Sequence, residues 1–144
     1  MFELRGCTVE DAISIATRLR KEDLEELQAC GYEDAETALL ASIALPGLAL
    51  VDCKDGLPEM IGGITEDGVI WCMTTKDYIT NHRKRFHKVT TGIMKEHQGV
   101  LWNYVYSKNE VHVEWLKRVG FTIKEPAVSI GPNDELFYYF IRSA

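Results

Sequence analysis

Apolar and polar positions alternate along this chain in a strand–helix–strand rhythm. Phe2 to Arg5 alternates with period two and predicts a first strand. Thr8 then stands as an N-cap, with Asp11 in the place of a capping box. Ala12, Ile13, Ala16 and Leu19, continued by Leu24 and Leu27, mark a helical face that a break near Arg20 or Lys21 divides into two. The charges Arg18, Arg20, Lys21, Glu22, Asp23, Glu25 and Glu26 are expected on the solvated side. Asp34 caps a further helix from Ala35 to about Leu45, which Pro46-Gly47 stops. Three short strands follow, Leu48–Cys53, Glu59–Thr65 and Val69–Thr75, separated by Asp55-Gly56 and Asp67-Gly68 hairpin turns. The first of them is continuously apolar, as a buried strand would be.

From about Ile79 to His97 the pattern is helical again, with Phe86, Val89 and Ile93 on the buried stripe. Leu101 to Tyr106 alternates as a strand and breaks at Ser107-Lys108-Asn109. Val111, Trp115, Leu116 and Val119 then recur at helical spacing until Gly120 ends the helix. Phe121–Lys124 and Leu136–Ile141 close the chain as strands on either side of an Asn133-Asp134 turn. The order implies an α/β fold with a mixed, mainly antiparallel central sheet and helices on both faces. The length of 144 residues suits a single domain, 1–144.

Charge and composition narrow the function. The net charge of −6 argues against nucleic acid as a partner, because that footprint is basic. Local charge runs the other way at one place: His82, Arg83, Lys84, Arg85, His87 and Lys88 crowd the start of the Ile79–His97 helix. Cations oppose the macrodipole there, so either an anion sits at that end or the run is a solvated face. Cys7, Cys30, Cys53 and Cys72 are too dispersed for a zinc site and are expected as reduced thiols. No apolar run approaches the ~18 residues of a membrane span, and MFELRGC has no signal-peptide core.

Asn109, Gly120 and Phe121 within the run from Leu101 to Ile123, preceded by the three-strand meander, resemble the GNAT family, the Gcn5-related N-acetyltransferases. The run LWNYVYSKNEVHVEWLKRVGF, with the basic helix before it, also resembles a family of tailed bacteriophages that includes the GNAT-like internal virion protein of short-tailed phages. The resemblance implies a GNAT-like (acyl-CoA N-acyltransferase) fold and acetyl-CoA as cofactor. In that family an amine attacks an acyl-CoA thioester held between two splayed strands. Met73, Thr74 and Thr75, on the third meander strand, are the implied contacts along that splay.

The family's pyrophosphate loop reads Arg/Gln-x-x-Gly-x-Gly/Ala. Here it corresponds to Arg83–Lys88, where Arg83 matches while Phe86 and Lys88 replace both glycines. The side chains of Arg83, Lys84 and Arg85 remain as candidates for binding phosphate by charge. The family's proton-donating tyrosine corresponds to Leu116 and is missing. His112 and Tyr104 are the catalytic candidates left, each with a packing role as the competing reading. Asn109 is either a helix cap or a ligand contact. Two functions follow. One is a phage protein with a degenerate acyl-CoA site, acting in the virion or through a host or virion protein partner. The other is an N-acyltransferase with a divergent phosphate loop. The expected location is the host cytoplasm or the phage virion, and the resemblance also implies a homodimer.

Overall fold

The computed structural model describes residues 1–143. The chain runs β1 (Phe2–Gly6), α1 (Val9–Ala16), α2 (Lys21–Ala29), α3 (Ala35–Ile43), then β2 (Gly47–Lys54), β3 (Leu57–Thr65) and β4 (Ile70–Thr74). It continues through α4 (Lys76–Asn81), α5 (Arg83–Glu96), β5 (Leu101–Tyr106), α6 (Glu110–Arg118), β6 (Thr122–Ile130) and β7 (Glu135–Arg142). The strands form two antiparallel sheets, β1-β2-β3-β4 and β5-β7-β6. They meet side by side through one parallel bridge, Val69 to Trp102. The architecture is therefore the expected mixed, mainly antiparallel sheet, divided in two at β4 and β5.

Helices cover both faces, following the two-residue alternation of each strand. Ile61 and Met73 pack with Ala12, Ile15, Ala38 and Leu39 of α1 and α3 on one side. On the other, Met60 meets Tyr78, Phe86 and Val89, and Leu101, Val105 and Phe140 meet Met94, Val113 and Leu116. Local signals fix most boundaries. Thr8 and Asp11 form the capping box, and the Asp34 carboxylate accepts from the Thr37 N–H at 2.7 Å. Gly120, at φ +99°, ends α6 while the Phe121 N–H reaches back to the Leu116 carbonyl.

Four expectations need correction. The basic helix is two helices, α4 and α5, broken at His82 (φ −132°, ψ 40°). The strand expected over Phe121–Lys124 runs on past Pro126 to Ile130, because β6 shifts register between Lys124 and Val128 and resumes its pairing with β7. The strand read as continuously buried is open at its start: Leu48 is 48% exposed, and only Val51 to Cys53 are fully covered. Finally, the charges between the first two helices are not all solvated. Asp23 is 0% exposed and Arg20 4%, because Arg20, Asp23 and Leu27 share one face of the chain and turn inward together.

Candidate functional site

The joint between the sheets is built by a turn. Gly68 has φ +85°, and a Cβ there would stand 2.3 Å from the Val100 carbonyl oxygen. Glycine therefore lets the β3–β4 turn close against β5. The Trp102 N–H donates to the Gly68 carbonyl at 3.0 Å, and Asn103 Nδ2 donates to the Ile70 carbonyl at 2.8 Å. Beyond these contacts β4 and β5 separate. A cavity of about 110 Å³ lies in the gap, lined by Cys72, Phe86, Tyr104, His112, Trp115 and Glu26 among others.

Ladder parity decides which backbone groups face the gap. The Thr65 N–H pairs with the Val69 carbonyl and the Thr75 N–H with the Glu59 carbonyl, so these positions point at β3. Met73, directly opposite Ile61, has the same parity. Ile70, Cys72 and Thr74 then turn their backbone groups outward. The Ile70 carbonyl is bonded to Asn103, as above. The Thr74 N–H donates to Asp23 Oδ2 at 2.9 Å, and the Thr74 carbonyl accepts from the Arg20 N–H at 2.8 Å. Of the three expected strand contacts, Met73 and Thr75 face β3, and Thr74 is bonded to the chain's own α1–α2 connection. Cys72 alone faces the gap without such a staple, its thiol pKa pushed up by burial.

That connection carries a buried polar network. Arg20 Nη2 donates to Asp23 Oδ1 at 3.0 Å and to Asn109 Oδ1 at 2.8 Å. With its oxygen held by Arg20, the Asn109 amide presents Nδ2 to Asp23 Oδ1 at 3.4 Å and to His112 Nδ1 at 3.3 Å. Asn109 occupies the N-cap position of α6, but its side chain does not cap the helix; the arginine draws it away. His112 Nδ1 thus accepts from an amide. Burial lowers the His112 pKa against the opposing pull of Asp23. Among the described residues His112 Nε2 has no hydrogen-bond partner, nor does Trp115 Nε1 one turn along. Tyr104, the other catalytic candidate, lines the same gap from β5.

The long helix is preceded by a short one. Between β4 and α5 the chain forms α4, capped by the Thr75 hydroxyl. Its anchor is Tyr78, fully buried, whose hydroxyl donates to Asp52 Oδ2 at 2.8 Å. Arg85 grips the same carboxylate through Nε and Nη2 at 2.8 and 2.7 Å and lies over the Phe2 ring. Arg85 is thus committed to Asp52. Arg83 and Lys84 are exposed and border a separate groove of about 350 Å³ with His87, Val111 and Arg118. The structure brings His112, Tyr104 and Met73 to the gap. It places the Arg83–Lys84 pair at the start of α5 beyond α4, and holds Arg85 apart from both.

A family model for the bacteriophage T7 probable scaffold protein Gp13 matches residues 49–126, more than half of the chain. The chain belongs to this phage family. Curated proteins yield no match to it. Among solved structures, the ribosomal-protein-S18-alanine N-acetyltransferase from Escherichia coli superposes with a TM-score of 0.70 at 12% identity, over 99% of this chain and 94% of that one. A GNAT-family acetyltransferase from Streptococcus pneumoniae gives 0.61 at 14% identity over 100% of both chains. The PaiA N-acetyltransferase from Thermoplasma acidophilum, in complex with coenzyme A, gives 0.65 at 12% identity, covering 100% of this chain and 99% of that one. The likeness is one of fold. This member of the Gp13 family has the acetyltransferase-type architecture, with β4 and β5 splayed as that architecture requires.

Sequence reasoning missed Glu26. It is read there as one of a solvated acidic run, yet its Oε1 accepts the Tyr106 N–H of β5 at 2.7 Å. Burial pushes its carboxyl up to about 7, against the downward pull of that hydrogen bond. The available signal was spacing: Asp23, Glu26 and Leu27 fall three and four apart, so an inward Leu27 carries both acids toward the strands.

Proposed function

We propose that this chain is a structural or partner-binding component of a phage particle, or of its assembly, built on an acetyltransferase-type fold whose acyl-CoA site has been converted to packing. The observation that carries this reading is the closed edge of β4. Thr74 gives its N–H and its carbonyl to Asp23 and Arg20, and the stretch Arg83–Lys88 that resembles a phosphate-binding loop is helical, the first turns of α5. A ligand pairing with β4 at Thr74 would have to displace both of those bonds. The family's description as a probable scaffold protein supports the same direction. The chain accordingly acts in the virion or beside it in the host cytoplasm.

Melting the purified protein with and without millimolar acetyl-CoA tests this. A ligand binding only the folded state at about 100 times its dissociation constant adds about 2.7 kcal/mol. The expected result is no shift. A shift of several degrees, abolished by Arg83→Glu, would replace this reading with the second one. Mass spectrometry of assembled particles supplies the positive arm, and absence of the chain from both mature particles and assembly intermediates would count against the role.

The second reading is N-acyl transfer from acetyl-CoA with a divergent phosphate site. The observation favouring it is Glu26: a carboxyl at the gap, titrating near neutrality and held by one oxygen, has the character of a proton acceptor for an amine.

A further inference from the structure

Helix α5 contains a glycine that the single chain does not explain. Gly92 lies inside the helix and is exposed, and a Cβ built there meets no heavy atom within 4 Å. At Gly63 and Gly68 the same atom would strike backbone at 2.0 and 2.3 Å, so those glycines are needed by the fold. Glycine within a helix weakens it relative to alanine, yet nothing inside the chain requires one at position 92.

The neighbours of Gly92 follow a pattern. Four residues before it is Lys88 and four after it is Glu96, so all three lie on one stripe of the helix. Both charged residues are exposed, and neither enters an ion pair among the described residues. The stripe therefore runs positive, bare, negative, and turns into its own complement when rotated end over end about the glycine. Beside it lies a groove of about 650 Å³ between α5 and the outer strands β1 and β2. Its lining includes Leu4 and Leu48, which are 40% and 48% exposed, with Leu50, Ile64 and Ile93.

We propose that this face is an isologous dimer interface, in which the α5 helices of two copies cross antiparallel at Gly92 and Lys88 of each copy meets Glu96 of the other. The occupant is a second copy because of the charge order. A two-fold interface requires that if residue i meets j, then j meets i, and Lys88 and Glu96 placed equally about Gly92 satisfy that requirement. The missing side chain at the crossing lets the helices approach closely, since interaxial distance is set by the side chains at the contact. The second copy also covers the leucines that β1 and β2 leave bare. The proposal is independent of whether the chain binds acyl-CoA or acts in a particle.

Sedimentation velocity over a concentration series tests it, on the full chain and three variants whose folding is checked by circular dichroism. The wild type is expected as a dimer and Gly92→Leu as a folded monomer. Lys88→Glu and Glu96→Lys each place like charges at both crossings and raise the dissociation constant by roughly tenfold. An equimolar mixture of those two reversals is expected to regain wild-type affinity, because both cross-contacts again join opposite charges. A wild type that stays monomeric would overturn the proposal. So would self-association untouched by Gly92→Leu, or a mixture no tighter than its components. The groove being filled by a different phage protein while the chain alone remains monomeric would also overturn it.

Discussion

Two buried carboxylates, Asp52 on β2 and Asp23 beside β4, lie at the same level of one sheet, and they are finished to different degrees. Asp52 receives two guanidinium hydrogen bonds from Arg85 and one from the Tyr78 hydroxyl. Arg85 keeps part of its side chain in solvent. The cluster is saturated, and it fastens α4 and α5 to β2. Asp23 lies in a larger group that joins α2 to β4 and to the start of α6. That group contains buried polar atoms without partners among the described residues: Arg20 Nε, Thr74 Oγ1 and His112 Nε2. Saturated polar clusters specify packing, whereas buried groups left without partners cost stability. The cluster bordering the gap between β4 and β5 is the unsaturated one.

The largest test of this contrast is removal of each carboxylate. Asp23→Ala leaves a guanidinium with almost no access to water, and its expected cost is about 3–5 kcal/mol. Asp52→Ala leaves Arg85 able to reach solvent and strands chiefly the Tyr78 hydroxyl, at a cost of about 1–3 kcal/mol. Urea unfolding of the two variants measures the order, and equal costs would erase the distinction.

Next in size is the pH dependence set by Glu26. Its folded pKa of about 7 lies above the ordinary 4.5. The folded state therefore holds the extra proton, and stability contributed by this group is full below the ordinary value and declines as pH rises toward 7. Glu26→Gln removes that decline. The melting-temperature difference between Glu26→Gln and wild type should move in favour of the variant across this window, and parallel pH profiles would exclude Glu26 as the source.

The smallest effect has the opposite sign. Thr74→Val keeps the shape of a fully buried side chain while deleting an unpartnered hydroxyl. The expected result is a gain of up to about 1 kcal/mol. A loss would mean that the hydroxyl has a partner in solution.

Much of this fold was legible because its signals are local. The Asp-Gly turns, the Thr8 capping box, Asp34 and Gly120 each act within a few residues, and each lies where the pattern puts it. The splayed edge was less legible because its determinants are remote. Asn109 was read at the right position with the wrong partner, since Arg20 lies 89 residues away. Arg20 and Asp23 were assigned to water because charge outweighed spacing in that reading. The absence of glycine at Phe86 and Lys88 was visible, but the separate helix α4 was not. It depends on a buried tyrosine finding an aspartate 26 residues earlier, on another strand.

Phe86 joins the two helices to the gap. It is buried against Tyr78 and Trp115 and borders the cavity between β4 and β5. Replacing it by a small residue would cost about 3–5 kcal/mol, a large share of the 5–15 kcal/mol that holds a typical domain together. One ring is thus both a wall of the cavity and a large part of what keeps the chain folded, so the cavity cannot be widened at this wall without losing stability.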